Sequence, residues 1–355
     1  MTAATLSAPA PISVGILGTG AMAATMGAAL GLSPAFAISA VGSASSPERA
    51  QALAARLPGA PRALTREALL ADERIRLVYV VSATADHEAD ALAALAAGKD
   101  VLVEKPLALS AEGAARVAEA ARAAGRFCME AMWTPFLPAW QALEASAVSG
   151  ELGRPRHLAF SFGYPVDPAQ APRLFAPGPG QGVLLDRAVY GVACALRLLG
   201  PAEGVHADLR RDPATGLDVE AFLQIRHAGG ATSQVAASMT ALLSNAATLG
   251  CERGSLTLDP PTLGGESVSR IAMAPGGIGG GGGLKARLRR SPLLRRLQSM
   301  RGGPERSRHP WGADQYLPML THVAERLAAG ATESDRQPLS ATQAVLALLD
   351  EAARG

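Results

Sequence analysis

An apolar run, Ile12–Leu17, leads directly into Gly18-Thr19-Gly20-Ala21-Met22-Ala23 and then into an alanine-rich stretch. No other feature of the chain restricts the fold so tightly. The run has the length of a buried strand, and glycines followed by small residues suit a strand that turns sharply into a helix. The first glycine makes the tight turn and the second lets backbone approach a pyrophosphate. Ala23, at the third position, permits close packing of helix on strand. A helix start there offers free N–H groups to phosphates. Gly18, Thr19, Gly20, Ala21 and Met22 are therefore expected to hold a dinucleotide.

The next hundred residues keep alternating. Strands are predicted at Phe36–Val41, Ile75–Val81, Val101–Glu104 and Phe127–Met129. Helices are predicted between them, capped by Ser46 (with Pro47 at the first position), Asp86 and Ser110. Such alternation is the signature of a parallel α/β sheet. After residue 150 the pattern changes to short strands separated by turns: Arg156–Tyr164, Val205–Arg211, Glu220–His227, Thr232–Met239, Ala246–Glu252 and Ser255–Asp259. A helix at Asp186–Leu199 interrupts them, and two more, Gln315–Ala329 and Ser340–Ala353, close the chain. The fold class expected is α/β: an N-terminal Rossmann-type parallel sheet (residues 1–130), then an α+β domain with an open, mainly antiparallel sheet (131–355). A glycine-rich and basic insertion at 276–308 falls inside the second domain.

Length and composition agree with two domains, since 355 residues is about twice a common domain size. With 48% hydrophobic residues and a net charge of +2, a mainly disordered chain is excluded. The basic charge is local: residues 284–308 hold nine basic side chains against Glu305, which leaves the rest of the chain at −6. A global nucleic-acid binder is not expected. The segment reads as a mobile, solvated insertion, the other reading being an arm that touches a partner subunit, an anionic substrate or a membrane surface. Three cysteines without a CxxC pair argue against a disulfide framework or a zinc-thiolate site, and the histidines have no metal-like spacing. No membrane-length apolar run and no cationic leader stand in the sequence, so a soluble cytoplasmic protein without a metal is expected.

Three places carry chemistry. Strand two ends in Gly42-Ser43-Ala44-Ser45-Ser46-Pro47-Glu48-Arg49, with no acid before Glu48. An NAD site usually places Asp or Glu there for the ribose 2′-hydroxyl. Hydroxyls at Ser43, Ser45 and Ser46 with Arg49 suit a 2′-phosphate instead, so NADP is expected, with NAD the alternative. The plainer reading makes those serines turn and cap residues only. Glu104-Lys105-Pro106 stands at the C-terminal edge of a parallel strand, where ligands bind in open α/β sheets. Lysine is scarce, only Lys99, Lys105 and Lys285 against 30 arginines, and Lys105 is placed to orient an alcohol oxygen. Asp186 and Tyr190, four apart on a predicted helix, share one face. Asp186 could bind a substrate hydroxyl and Tyr190 transfer a proton, with Lys105 nearby lowering the phenol pKa; the plainer reading makes them a helix cap and a core residue. Trp133 and Trp140 offer flat faces to a ring, or else belong to an interdomain core.

These pieces together resemble the Gfo/Idh/MocA oxidoreductase family, with its N-terminal fingerprint, its E-K-P motif and its G-G-G-x-L-x-D-x-G-x-H segment. They stand here as Gly18–Ala23, Glu104-Lys105-Pro106 and Gly180–Tyr190. Met129-Glu130-Ala131-Met132-Trp133-Thr134 and Arg173-Leu174-Phe175, with tyrosine at 190, resemble the branch of dimeric dihydrodiol and NADP-dependent D-xylose dehydrogenases. The resemblance implies a catalytic role for Lys105, acid–base work for Tyr190, and substrate contacts for Asp186, Trp133 and Arg173, with Glu104 beside the cofactor. It implies a small-molecule substrate (a sugar, polyol or trans-diol) and a homodimer or higher homo-oligomer. An imine or enone reductase with the same cofactor and a nonenzymatic NADP-binding regulator are the alternatives. Pro135, Gln181 and Ala188 depart from the pattern, which has arginine, glycine and glycine at those positions.

Overall fold

The computed structural model describes residues 10–273 and 304–354. Six parallel strands form the first sheet: β1 (Ile12–Leu17), β2 (Phe36–Ser43), β3 (Arg62–Thr65), β4 (Leu77–Val80), β5 (Asp100–Val103) and β6 (Cys128–Glu130). Their order is β3-β2-β1-β4-β5-β6, so the chain reverses direction across the sheet between β1 and β4. That switch point opens a crevice at the carboxyl ends of the strands. Helices α1 (Ala21–Leu32), α2 (Pro47–Ala54), α3 (Arg66–Ala71), α4 (His87–Ala96) and α5 (Ala111–Ala124) connect them. β4 and β5 are fully buried, as strands covered on both faces must be.

Local chemistry explains the helix starts. Ser46, Thr65 and Ser110 each accept a hydrogen bond from the N–H three residues on, and Gly125 ends α5 in the left-handed conformation. Asp86 does not cap as expected: a 3-10 turn, Thr84–Asp86, leads into α4 and the Asp86 side chain caps nothing. The unit β3–α3 has no counterpart in the sequence reading, because its elements span only 4 and 6 residues and show no clear period.

The second sheet has eight strands where six are expected. After α6 (Pro138–Val148) come β7 (Pro155–Gly163), α7 (Val189–Leu199), β8 (Ala202–Arg211), β9 (Asp218–His227), β10 (Thr232–Ser238), β11 (Ala247–Cys251), β12 (Gly254–Leu258), β13 (Ser267–Ala272) and β14 (Glu305–Arg308). The order is β14-β13-β12-β11-β7-β10-β9-β8. All pairs are antiparallel except β7 with β10, so the sheet is mixed. The helices α6 and α7 pack on one face, while Phe222 stands exposed on β9. Most of the basic stretch 276–308 lies outside the described residues. Its end does not: Glu305–Arg308 is an edge strand paired with β13, and so belongs to the sheet. Among the described residues no helix is long and apolar enough to cross a membrane.

The tail returns to the first sheet as α8 (Leu317–Ala328) and α9 (Leu339–Arg354), and α9 packs against both α5 and α7. Arg76 donates to the carbonyl of Leu327 at 2.8 Å, and the Cys128 N–H to that of Thr332 at 3.2 Å. Glu130, 1% exposed at the end of β6, accepts from the Leu107 N–H (3.0 Å), the Thr342 hydroxyl (2.8 Å) and the Gln337 amide (3.3 Å). It thereby ties the tail to the loop after β5.

Burial raises the Glu130 pKa, and the three donors only partly offset it. A carboxyl with a raised folded-state pKa resists ionisation in the folded chain but ionises freely when unfolded. The folded state therefore loses stability as pH climbs from about 4.5, the ordinary Glu value, through the raised one. Glu130→Gln keeps the shape and removes the ionisation. Between pH 5 and 8 the wild-type Tm should fall relative to that of the variant, by about 2–4 °C per pKa unit of elevation. Parallel thermal melts with equal slopes would refute this.

Candidate active site

The phosphate loop is built by backbone geometry. Gly18 has φ of +137°, and a Cβ there would sit 2.2 Å from the Val81 carbonyl oxygen, so only glycine fits. Gly20 precedes α1, whose first turn has no side-chain cap. A Cβ at Gly20 would meet nothing within 4 Å, which leaves open space before uncapped N–H groups. Ala23, in the first turn of α1, is fully buried. This cradle fits a pyrophosphate, and Ala21 and Met22 line the cleft beside it.

At the end of β2 the expected residues divide. The Ser43 hydroxyl accepts from the N–H groups of Ser45 (3.4 Å) and Ser46 (3.1 Å), and the Ser46 hydroxyl accepts from that of Arg49 (3.2 Å). Those two serines shape the turn and cap α2. Arg49 reaches back to the Ser45 hydroxyl at 3.0 Å, so a guanidinium and a hydroxyl meet at the sheet edge. Glu48 bonds the Ser46 hydroxyl at 3.0 Å, and its own backbone N–H, then Ser46, hold its carboxyl below the usual range.

Across the cleft, Glu104 and Lys105 leave the end of β5. Glu104 is buried and accepts from the Tyr79 hydroxyl at 2.6 Å, and burial raises its pKa. The Lys105 ammonium donates to the Asp186 carbonyl (2.7 Å) and carboxylate (2.9 Å) and lies 5.0 Å from the Tyr190 ring centroid. Burial alone would depress the Lys105 pKa; at neutral pH the charge and hydrogen bond of the Asp186 carboxylate oppose it, and the ammonium stays protonated. Burial pushes Asp186 upward too, but Lys105 and the adjacent Arg187 bring it below its ordinary value, so it is ionised.

The expected α-helix over Asp186 is instead a π-helical turn, Leu184–Ala188, followed by α7. Gly182 enters that turn with φ of +104°, where a Cβ would lie 2.2 Å from an Asp218 carboxylate oxygen. The Asp218 carboxylate accepts from the Leu184 N–H at 2.7 Å and anchors the wider turn. Tyr190 follows, 6% exposed, with the Trp133 indole N–H 3.4 Å from its hydroxyl. The expected low phenol pKa is not found. Burial pushes Tyr190 up to about 12, and the opposing pull of Lys105 is the smaller effect. At neutral pH the phenol is protonated.

One cavity of about 550 Å³ joins the two walls, with Gly20, Ala21 and Met22 on one and Lys105, Asp186 and Tyr190 on the other. Trp133 lines it; Trp140 does not and is core, 1% exposed. Arg173 sits in a 3-10 turn, Pro172–Leu174, and its side chain lies outside the described residues. Thr84, Phe162, Tyr164, Leu263, Gln315 and Tyr316 also line the cavity, although the sequence reading did not single them out. Only Phe162 and Tyr164, two apart at the end of a strand, carried a usable signal. His87 reaches the cavity, but its ring is committed to the Pro106 carbonyl at 2.8 Å. Pro135 lines a separate groove beside α7 and α9, and its carbonyl accepts from Arg336 at 2.5 Å. Ala188 is fully buried, and neither it nor Pro135 lines the cavity. Gln181 lines a small side pocket of about 60 Å³ next to Lys105 and Asp186. Among the described residues no cluster of three or more His, Cys, Asp or Glu would hold a metal ion.

Comparison with known proteins gives the family and the fold. The family model for the GFO/IDH/MocA oxidoreductases, described as an NAD-binding Rossmann fold, matches residues 12–132, and that for the GFO/IDH/MocA C-terminal domain matches 140–257. A trans-1,2-dihydrobenzene-1,2-diol dehydrogenase of Sus scrofa is 32% identical over 55% of this chain and 58% of its own length. A D-xylose 1-dehydrogenase (NADP(+)) of Hypocrea jecorina is 30% identical over 54% of each. The matched region thus spans a little over half of these relatives. Among solved structures, a 3-ketoreductase from Actinomadura kijaniata, in complex with NADP and TDP-benzene, superimposes with a TM-score of 0.80 at 24% identity, covering 97% of this chain and 98% of its own. An aldose-aldose oxidoreductase from Caulobacter crescentus gives 0.78 at 21% identity, with the same coverage. Both share the fold.

The phosphate loop yields a direct test. Gly18→Ala should abolish detectable binding of NADPH, read by cofactor fluorescence, because its Cβ would collide with the Val81 backbone at a φ that alanine rarely adopts. Binding within about tenfold of wild type, a difference near 1.4 kcal/mol, would contradict the assignment of the loop.

Proposed function

The chain belongs to the GFO/IDH/MocA oxidoreductase family, and we propose that it is an NADP-dependent dehydrogenase acting on a hydroxyl-bearing carbon of a sugar, polyol or trans-diol. The observation that carries this reading is the Lys105–Asp186 pair beneath Tyr190, in one cavity with the Gly20–Met22 loop. The names of the relatives, a diol dehydrogenase and an NADP-linked xylose dehydrogenase, support the substrate class.

When bound, the nicotinamide ring accepts or returns the hydride. The protein handles the proton and the position of the substrate. Tyr190, protonated at neutral pH, gives its proton to a carbonyl oxygen in the reducing direction and takes one from a hydroxyl in the oxidising direction. Lys105 stabilises negative charge on either oxygen as the proton moves, because its ammonium is fixed nearby before reaction begins. Asp186 accepts from a second substrate hydroxyl, which orients the reacting carbon. Trp133, Phe162 and Leu263 give the cavity apolar walls that exclude water.

Cofactor preference follows from the end of β2. Arg49 and the Ser45 hydroxyl are the groups available to a 2′-phosphate. Arg49→Ala should weaken NADP by about tenfold or more and leave NAD unchanged, since a charge-assisted hydrogen bond contributes about 1.5–3 kcal/mol. Titration of both cofactors checks it; an equal loss for the two removes Arg49 from the site.

The proton role is tested by turnover. Tyr190→Phe should lower kcat by about 10²–10⁴-fold with cofactor affinity near wild type. Lys105→Met should also lower kcat, and the double variant should be little worse than the worse single, because the residues act as a unit. Full turnover by Tyr190→Phe on a polyol and aldose panel would end this reading.

A further inference from the structure

Arg187 follows Asp186 in the π-helical turn and is 1% exposed, among the largest fully buried side chains in the chain. Nothing in the sequence marked it, because an arginine in a predicted helix normally faces solvent. Here its guanidinium carbon lies 3.9 Å over the Tyr164 ring and 5.5 Å from that of Phe162, both walls of the catalytic cavity. One terminal nitrogen donates to the carbonyls of Tyr164 (2.9 Å) and Ser238. Its Nε has no hydrogen-bond partner and stands 3.7 Å from the Asp186 Oδ2 oxygen, while Oδ1 is held by Lys105 at 2.9 Å.

A buried cation paired this loosely is a poor stabiliser: desolvation is costly, and two carbonyls, two ring faces and a distant carboxylate repay it incompletely. What the arrangement does accomplish is positional. Asp186 stands between two cations: Lys105, from the loop after β5, hydrogen-bonds Oδ1, and Arg187, from its own turn, faces Oδ2 at 3.7 Å. Tyr164, 46% exposed at the cavity mouth, is pinned flat by a planar group that no lysine reproduces.

We propose that Arg187 is a positioning residue of this site. Its charge orients the second carboxylate oxygen of Asp186 and its plane holds the Tyr164 ring, so that a substrate hydroxyl meets an oriented carboxylate while Lys105 also serves the reacting oxygen. This rests on the reading of Asp186 as the substrate-hydroxyl acceptor.

The test uses the full chain with NADP and D-xylose or trans-cyclohexane-1,2-diol, whichever is turned over. The charged and titratable groups facing Asp186 are Lys105, Arg187 and Tyr190, with Glu104 behind Lys105. Arg187→Met should raise the substrate KM about 10- to 100-fold, as loss of positioning does, with the NADP KM near wild type. It should also move the acidic limb of kcat/KM to higher pH, because Asp186 keeps only one cation. Arg187→Lys should restore the limb but not the KM, since it supplies charge without the planar stack. That variant also keeps the proposal falsifiable should the methionine variant fold poorly. An unchanged substrate KM in both variants, or substrate and cofactor KM rising together with a fall in Tm, overturns the proposal. Asp186→Asn serves as the reference. If it leaves substrate KM and kcat untouched, or if neither substrate is turned over, the functional reading fails and the inference falls with it.

Discussion

The hydrogen-bonded ion pair between Lys105 and Asp186 is the contact on which the site depends, because it joins the two halves of the molecule at the cleft. Lys105 comes from the end of β5 in the parallel sheet and Asp186 from the turn that starts α7 against the mixed sheet. Each partner sets the state of the other. The carboxylate keeps a mostly buried lysine charged, and the lysine keeps the carboxylate ionised against burial. Tyr190 lies within reach of the same ammonium, but burial dominates it and the phenol rests protonated. Within a few ångströms the site thus holds a fixed cation, a fixed anion and a neutral acid, set apart by environment more than by residue type.

Beside this pair stand two buried acids, Glu104, which also lines the cavity, and Glu130. Glu104 takes the Tyr79 hydroxyl, and Glu130 takes the Leu107 N–H and two side chains from the tail. They bracket the loop that carries Lys105 from both sides. Buried carboxylates of this kind are costly unless fully hydrogen-bonded, and one left half-satisfied would loosen the loop. The C-terminal helices therefore take part in the site from a distance. They hold Glu130 in place, and the segment before α8 contributes Gln315 and Tyr316 to the cavity wall.

At the cofactor end, the serines at the close of β2 show how one motif serves two purposes. Ser43 and Ser46 spend their hydroxyls on the turn and the helix cap, the plainer of the two readings their residue types allowed. Arg49 and Ser45 instead bond each other through guanidinium and hydroxyl, which is why the proposed 2′-phosphate contact is assigned to them.

Much of the first sheet was legible from the chain alone: the strand–glycine–helix start, the caps at Ser46 and Ser110, and the place of Lys105 at a strand end. These follow from interactions between near neighbours, where backbone sterics and the reach of a side chain to a nearby N–H decide the outcome. The small β3–α3 unit, the strands β13 and β14 and the π-helical turn at Asp186 were not legible. Each owes its form to contact with distant segments, as Gly182 against Asp218 illustrates. The sequence by itself determined which residue types would stand at the site. Only the tertiary structure decided their charge states and partners: that Lys105 meets Asp186 across 81 residues of chain, that Arg187 turns inward, and that Tyr190 keeps its proton. The reason is that desolvation depends on what covers a group in space, and covering is a property of the assembled core that no local spacing encodes.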